Sequence, residues 1–349
     1  MKYENIIIGG GLSGTILAWQ FYLNNKSFLL IDDKPKSSSS KVAAGLYNPV
    51  VFKRLTPTWE ADKIIPYLDE FYSKIENILN TKFHHKRNII RIIPSEEDKA
   101  LWEFKSQNNE LNKYLNPRII DNYLHQFIKA PYGLGIVNNA GNIDTNLFIE
   151  TSHKFFIENN QFINTRINSN KASIKELKNK YSADRILFAE GWINSENEYF
   201  KWLPYKLVKG ELLKLHIPNF DIHDVPNKRV FLLNVGNNNY LAGSTYRWSY
   251  DNELPTEAEK NYLIEHLDKF LIAKYNIIDH KAGIRPAVLD RRPLLGNHPD
   301  YKDILLFNGM GSKSVMLSPY LSQMLYYNIY NESEIHKEVN LNRYIKYLI

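Results

Sequence analysis

Near its start the chain reads Ile6-Ile7-Ile8-Gly9-Gly10-Gly11-Leu12-Ser13-Gly14, in which three β-branched residues lead directly into a glycine-rich turn. Apolar residues recur at helical spacing over residues 12–23, and a second apolar run over residues 28–31 ends at Asp32. The order is strand, tight turn, helix, strand and acid, with the glycines spaced as Gly-x-Gly-x-x-Gly. This order predicts a parallel βαβ unit that binds a dinucleotide at the turn.

Each part of that pattern has a physical role in nucleotide binding. Gly9 permits the tight turn, Gly11 lets a pyrophosphate approach the backbone, and Gly14 lets the helix pack closely on the strand. The helix N-terminus offers free N–H groups and partial positive charge to phosphates. Asp32 is placed to accept hydrogen bonds from ribose hydroxyls, and Asp33 beside it disfavours a 2′-phosphate. NAD and FAD share this pattern, so the motif alone leaves both open.

The amino-acid composition limits the kinds of protein and of site that this chain can form. The 349 residues are 44% hydrophobic and 23% charged, which is ordinary for a globular chain. The lack of cysteine excludes disulfides, thiolate metal sites, catalytic thiols and cysteinyl flavin links. We expect no membrane span, no signal peptide and a cytoplasmic location. The net charge is +6, but the lysines are scattered, which does not favour a nucleic-acid partner.

The remaining periodicity predicts two kinds of structure. A polar loop is predicted over residues 34–40 and a polar turn over residues 178–184. Helices are predicted over 59–80, from 94, over 145–158 and from the Thr256/Glu259 capping box, and strands over 83–93, 162–167, 185–192, 209–215, 230–233 and 240–246. The strands between residues 195 and 280 are joined by turns, which predicts an antiparallel sheet, to which residues 85–140 could also contribute.

The C-terminal part repeats the strand, glycine-rich turn and helix order of the N-terminal part. Gly283-Ile284-Arg285-Pro286 is followed by a strand over residues 304–307, a glycine-rich turn over residues 308–314 and a helix over residues 316–328. We expect no metal site. His84 and His85 are adjacent in a predicted strand, so their side chains point to opposite faces and cannot easily share an ion.

Together these motifs resemble the D-amino-acid oxidase/glycine oxidase superfamily of FAD-dependent oxidoreductases. The resemblance runs in order along nearly the whole chain. It rests on the N-terminal glycine motif with Asp32, Ala43-Ala44-Gly45-Leu46, Gly141 to Asp144, Ala189-Glu190-Gly191-Trp192, Lys209-Gly210-Glu211, Gly243-Ser244-Thr245-Tyr246, Gly283-x-Arg285-Pro286, Asp290-x-x-Pro293-x-x-Gly296 and Gly309-x-Gly311-Ser312-Lys313.

The resemblance implies an α/β fold with two domains: a Rossmann-like FAD-binding domain and a substrate domain built on an antiparallel sheet. The implied FAD-binding domain comprises residues 1–80, 141–195 and 281–349, and the substrate domain comprises residues 81–140 and 196–280. FAD would be bound non-covalently, although a histidyl link stays open. The implied cofactor-binding residues are Gly9, Gly11, Leu12, Ser13, Gly14, Asp32, Asp33, Ser40, Lys41, Ala44, Gly45, Leu46, Ile167, Ala189, Gly191, Trp192, Arg285, Gly309, Met310, Gly311, Ser312 and Lys313.

Three residues are the main candidates for the chemistry, and a fourth is weaker. Arg285 matches the arginine that clamps the substrate carboxylate in family members that oxidise amino acids, and a guanidinium suits that role. Tyr246 is a candidate for the substrate face, and Lys313 for stabilising a negatively charged reduced flavin. Lys209 is a weaker candidate, beneath the flavin ring and assisting oxygen.

The implied activity is oxidation of a C–N bond of an amino acid or secondary amine by hydride transfer to flavin N5. Molecular oxygen or another acceptor would then reoxidise the flavin. The motif Asp290-Arg291-Arg292-Pro293 with Gly311-Ser312-Lys313 is also similar to the FAD-dependent domain of the bifunctional tRNA enzyme that modifies 5-carboxymethylaminomethyl-uridine. A tRNA substrate is therefore the alternative. A nucleotide-binding module without catalytic activity is a third hypothesis.

Overall fold

The computed structural model describes residues 2–33 and 38–348. Its strands are β1 (Asn5–Ile8), β2 (Phe28–Asp32), β3 (Leu46–Tyr47), β4 (Val50–Val51), β5 (Thr56–Pro57), β6 (His84–Ile92), β7 (Leu134–Ile143), β8 (Phe162–Asn164), β9 (Arg185–Phe188), β10 (Val208–His216), β11 (Val225–Asn227), β12 (Phe231–Asn234), β13 (Asn239–Gly243), β14 (Asn276–Arg285), β15 (Leu294–Asn297) and β16 (Ile304–Asn308).

The described residues also form eight α-helices. They are α1 (Leu12–Leu23), α2 (Ser39–Val42), α3 (Ala61–Leu79), α4 (Glu96–Ser106), α5 (Thr145–Glu158), α6 (Lys171–Lys180), α7 (Glu257–Asp268) and α8 (Ser314–Asn331). Short 3₁₀ helices lie at Gly191–Ser195 and Leu341–Tyr347. No helix among the described residues is both long and apolar enough to cross a membrane.

The first sheet has six strands in the order β15-β16-β9-β1-β2-β8. Strands β16, β9, β1, β2 and β8 run parallel, and β15 is an antiparallel edge strand. Strand β1 is apolar at three successive positions, residues 6–8, because both faces of the sheet are covered. Ile7 packs with the residues beneath α1 and α8, whereas Ile6 and Ile8 belong to a separate core on the other face. The predicted βαβ unit is confirmed, with β1 and β2 in register from Asn5 and Phe28.

The second sheet has eight strands in the order β14-β10-β13-β12-β11-β6-β7-β3. All neighbouring pairs are antiparallel except β11 and β6. Leu213, Leu215 and Leu232 face a third core, which α7 closes with Leu263 and Leu267. The predicted two-sheet α/β fold is therefore confirmed, and the contribution of residues 85–140 to the antiparallel sheet is confirmed through β6 and β7.

Some predicted elements need correction. The polar turn predicted over residues 178–184 begins inside α6, a helix that Asn170 caps through its side chain, with Ile174 and Leu177 buried on one face. The strand predicted over residues 162–167 ends at Asn164. Within the loop predicted over residues 34–40, residues 34–37 lie outside the described part of the chain, and Ser39 begins α2.

The predicted domain division stays a prediction. Its boundary between residues 140 and 141 falls within β7, and its boundary between residues 280 and 281 falls within β14. Both strands belong to the second sheet, and so does β3, from the N-terminal segment. Residues from both sides of each boundary therefore contribute to the second sheet.

Candidate active site

A cleft of about 1370 Å³ runs from the glycine turn of the first sheet to the second sheet. At one end it is lined by the carboxyl ends of β1, β2 and β9, which is where open parallel sheets bind their ligands. At the other end Gly210, Leu212, Phe231, Gly283 and Arg285 contribute from the second sheet. The volume exceeds that of a usual drug-sized site, roughly 300–1,000 Å³, and suits an extended dinucleotide.

The glycine turn has the conformation that its sequence predicts. Gly9 has a φ of +101°, which strongly favours glycine. A side chain at Gly14 would overlap the carbonyl oxygen of Gly9, so close packing of α1 on β1 depends on that glycine. The Leu12 N–H at the start of α1 donates to Ser40 Oγ at 3.0 Å. The Gly10 N–H donates to Asp32 Oδ1 at 2.8 Å, which holds that carboxylate beside the turn.

Most of the predicted cofactor-binding residues line this cleft. They are Gly9, Gly11, Leu12, Ser13, Asp32, Asp33, Ser40, Lys41, Ala44, Gly45, Leu46, Ile167, Ala189, Gly191, Trp192, Arg285, Met310, Gly311 and Ser312. Gly14 and Gly309 are not on its surface. Gly309 has a φ of +78°, and a Cβ there would come within 2.9 Å of Val288, so its role is in backbone geometry and packing.

Arg285 lies where the cleft meets the second sheet. Its guanidinium extends across Gly210 of the neighbouring strand, where any side chain would overlap it. One guanidinium nitrogen donates to the Thr245 carbonyl oxygen at 3.0 Å. Burial lowers the pKa of Arg285. Arg285 lines the cleft and forms no ion pair with any carboxylate of the described residues, so none of these carboxylates neutralises its charge.

Tyr246 is close to Arg285, as its predicted role requires. The guanidinium carbon lies 5.5 Å from the centre of the Tyr246 ring. The side chain is 45% exposed and stands beside the cleft instead of lining it. The structure therefore brings Tyr246 and Arg285 together at one edge of the cleft.

Lys313 is not placed where its prediction requires. It lies at the N-terminus of α8 with its side chain turned from the cleft, and its ammonium group is 3.4 Å from Thr58 Oγ1. Burial, with a smaller effect of Arg292, lowers the pKa of Lys313 to about 8. We therefore assign Lys313 no part in the reaction proposed below.

The prediction for Lys209 is wrong. Side chains alternate along β10, so Gly210 and Leu212 face the cleft while Lys209 and Glu211 face the other way. Lys209 is buried, with its ammonium group 3.1 Å from a carboxylate oxygen of Glu211 and hydrogen-bonded to the Leu254 carbonyl. Lys209 therefore stabilises the sheet and cannot touch a ligand in the cleft.

Comparison with known proteins supports a nucleotide-binding role for the cleft. A family model described as FAD dependent oxidoreductase (DAO) matches residues 5–327. The chain belongs to this family. Its FAD cofactor is thereby confirmed, as is the resemblance on which the sequence prediction rested.

Solved structures of this FAD-dependent oxidoreductase fold cover the whole molecule. Iminodiacetate oxidase from Chelativorans sp. BNC1 is 17% identical, with a TM-score of 0.75 over 97% of this chain and 98% of that chain. Glycine oxidase from Geobacillus kaustophilus is 14% identical, with a TM-score of 0.76 over 96% of each chain. L-proline dehydrogenase from P. horikoshii is 14% identical, with a TM-score of 0.75 over 98% of this chain and 96% of that chain.

The described residues fit FAD. Gly9 and Gly11 line the cleft at the N-terminus of α1, whose partial positive charge suits a pyrophosphate. Asp32 would hold the adenosine ribose. Among the described residues no cluster of His, Cys, Asp and Glu could hold a metal ion.

Glu190 is a cleft residue that the sequence prediction left out. Its carboxylate accepts hydrogen bonds from the side chains of Ser169, Asn194 and Asn197, and burial raises its pKa. It follows Ala189 directly and lines the same part of the cleft. Its place after the buried strand β9 was the available sequence signal, since polar residues at such strand ends commonly contact nucleotides.

Removing the Asp32 carboxylate should weaken FAD binding. We expect Asp32→Ala to raise the dissociation constant for FAD by roughly 10- to 100-fold, because a hydrogen bond to a charged group contributes about 1.5–3 kcal/mol. Fluorescence titration of the apoprotein with FAD measures this constant. Asp184→Ala is the matched control, since Asp184 carries an exposed carboxylate in a surface ion pair with Lys2. Equal affinity in both variants would contradict the assignment.

The lowered pKa of Lys313 predicts a dependence of stability on pH. Between the folded value of about 8 and the ordinary value of 10.5, the unfolded chain holds a proton that the folded protein has released. Lys313 therefore costs stability below pH 8, and this cost falls as the pH rises to 10.5. Urea unfolding across this range should show a steeper rise for the native protein than for Lys313→Met. Parallel curves would show that Lys313 is solvated.

Proposed function

We propose that this protein oxidises a C–N bond of an amino acid or secondary amine that carries a carboxylate, with hydride transfer to N5 of FAD. The observation that carries the proposal is Arg285, a partly buried guanidinium at the cleft with no ionic partner among the described residues. A charge held in this way is costly unless a ligand of opposite charge compensates it. A substrate carboxylate would supply that charge.

The residues around Arg285 fix the direction in which its guanidinium can bind a carboxylate. The Thr245 carbonyl accepts from one terminal nitrogen, and the bare backbone at Gly210 lets the guanidinium lie flat across β10. The remaining N–H groups can pair with both oxygens of a carboxylate, an arrangement that fixes orientation as well as adding energy. The carbon next to the amine nitrogen would then be held in one place relative to the cleft.

When bound, FAD would supply the redox chemistry, as the acceptor of a hydride from the carbon beside the amine nitrogen, and water would hydrolyse the resulting imine. The protein positions the substrate and excludes bulk water. Leu212 and Phe231 give that end of the cleft an apolar wall. Gly311 and Ser312 line it just before α8, whose N-terminus directs partial positive charge towards the same region.

The printed names of the similar structures support this substrate class. Iminodiacetate, glycine and L-proline, after which those enzymes are named, each contain an amine and a carboxylate. A cationic clamp with a flavin is a sound chemical solution for such molecules. The names guide the choice of test compounds for this chain.

An isotope effect tests the proposed hydride transfer. The holoenzyme is mixed without oxygen with amino acids and N-substituted glycines, and loss of flavin absorbance is followed by rapid mixing. For any compound that reduces the flavin, deuterium at the carbon beside nitrogen should slow the reduction by a primary isotope effect. Reduction at equal rates for both isotopologues would contradict a rate-limiting C–H cleavage. Oxygen consumption in the same reaction shows whether oxygen is the acceptor.

A further inference from the structure

A strip of aromatic and cationic side chains stands beside Arg285. We call Tyr246, Trp248, Lys206 and Arg291 the aromatic–cation strip. The rings of Tyr246 and Trp248 meet edge to face with centroids 5.1 Å apart. Lys206 Nζ lies 4.7 Å from the centre of the Trp248 ring, and the Arg291 guanidinium carbon lies 5.9 Å from it. With Arg285 against Tyr246, the strip is continuous with the cleft.

The backbone explains why both rings face outward. Residues Lys209 and Arg247 exchange two backbone hydrogen bonds of 2.9 Å, which extends the sheet pairing beyond β13. Side chains alternate in such a segment. Thr245 and Arg247 therefore point to one side, where Thr245 Oγ1 accepts from the Glu211 N–H and Arg247 donates to the Glu259 carboxylate. Tyr246 and Trp248 point to the other side, where they are 45% and 38% exposed.

The chain segment that follows Trp248 is held in place by the buried side chains of Lys209 and Glu211. The Thr256 N–H and hydroxyl donate to the Glu211 carboxylate at 3.0 and 3.2 Å, and the Lys209 ammonium group binds the Leu254 carbonyl. These contacts fix the C-terminal end of the segment from 245 to 256, and the bond from the Glu211 N–H to Thr245 Oγ1 fixes its N-terminal end. A surface that is ordered before binding loses less entropy when a ligand arrives.

The cations of the strip differ from their neighbours in having no anionic partner. Arg247, Arg292 and Arg343 pair with Glu259, Glu338 and Asp290 respectively. Within the described part of the chain, neither Lys206 nor Arg291 forms an ion pair. The strip therefore presents two unpaired positive charges beside exposed aromatic surface.

We propose that the aromatic–cation strip binds a planar aromatic ring that bears an anionic group and that forms the distal part of the substrate. The anion pairs with Lys206 and Arg291, and the ring packs on Tyr246 and Trp248. This inference rests on the proposed function, because Arg285 holds the amino-acid end of the same molecule. The substrate is then an amino acid or N-substituted glycine with an aromatic, anionic substituent, and not a small aliphatic amine.

Binding to the holoenzyme tests the strip without any turnover. Calorimetric titration compares phenyl phosphate, methyl phosphate and benzyl alcohol. We expect phenyl phosphate to bind roughly tenfold more tightly than methyl phosphate, and Trp248→Leu to remove that advantage. Lys206→Met and Arg291→Met should weaken both phosphates. Tyr123→Leu, at an exposed tyrosine of a different loop, is the control. Equal binding of the two phosphates, or unchanged binding by Trp248→Leu, would overturn the proposal.

Two further measurements identify the source of the ring and separate this proposal from the proposed function. If uridine 5′-monophosphate binds as well as phenyl phosphate, the distal part of the substrate is a nucleotide. If phenyl phosphate binds and uridine 5′-monophosphate does not, the distal part is an aryl acid. Anaerobic flavin reduction then compares N-methylglycine, N-benzylglycine and N-(4-carboxybenzyl)glycine. The strip predicts the highest kcat/KM for the last compound, lost in Trp248→Leu. If phosphates bind at the strip but no amine reduces the flavin, the proposed function fails and the strip stands.

Discussion

Arg285→Met should lower kcat/KM for a carboxylate-bearing amine by roughly a hundredfold or more. Truncating one partner of a desolvated charge pair costs about 2–5 kcal/mol. Arg285 meets that description because burial lowers its pKa and no described carboxylate pairs with it. The loss should fall mainly on KM, since the carboxylate is bound in the ground state as well as in the transition state. Steady-state kinetics with an oxidisable substrate measures both parameters.

Two controls separate charge from position at Arg285. Gly210→Ala keeps the guanidinium but places a methyl group where it lies, so a smaller loss is expected than for Arg285→Met. An amine without a carboxylate should react equally with native protein and Arg285→Met. Unchanged kinetics of Arg285→Met with the acidic amine, while FAD stays bound, would refute the clamp.

Glu211→Ala should destabilise the protein by roughly 3–5 kcal/mol, because removing one member of a buried ionic cluster leaves the others uncompensated. Glu211 is fully buried, with Lys209 at 3.1 Å and His280 Nε2 at 2.8 Å from its oxygens. It also accepts two hydrogen bonds from Thr256. Urea unfolding of the holoprotein gives the change in free energy of unfolding.

A surface pair provides the control for Glu211. Glu70 and Lys74 form an exposed ion pair on α3, and Glu70→Ala should change stability by about 0–1 kcal/mol. Glu211→Gln keeps one oxygen acceptor for Thr256 but removes the charge, so its loss should lie between the two. A Glu211→Ala variant as stable as Glu70→Ala would show that the cluster contributes little.

The nucleotide-binding half of the fold could be predicted because its signals are local. The tight turn at Gly9, the packing at Gly14 and the acid at Asp32 lie within one βαβ unit, where spacing alone determines geometry. The Thr256 cap was predictable for the same reason, and the structure confirms its bond from the Glu259 N–H. The reciprocal half of the capping box is absent, since Glu259 pairs with Arg247.

Other features depend on contacts that a single sequence does not display. The unpaired state of Arg285 depends on Gly210 and Thr245, which lie 75 and 40 positions away along the chain. Lys313 follows a glycine motif that lines the cleft, but the start of α8 turns its side chain towards Thr58. The position of Lys209 on the side of β10 away from the cleft was open to prediction, because Gly210 lines the cleft and side chains alternate along β10.

Helix α6 was missed for a different reason. Most of its residues are polar, a composition that is also typical of a loop, and only Ile174 and Leu177 are buried. The side-chain cap at Asn170 and the three-residue spacing of those two apolar residues were the available signals.

The central claim is that the cleft holds FAD and oxidises an amine that Arg285 holds by its carboxylate. Anaerobic titration of the purified holoenzyme with amino acids and N-substituted glycines tests it most directly. We expect flavin absorbance to be present and to be bleached by at least one carboxylate-bearing amine. Bleaching of Arg285→Met should require a far higher concentration of that amine. Flavin that no such amine bleaches, or equal bleaching of the native protein and Arg285→Met, would contradict the account.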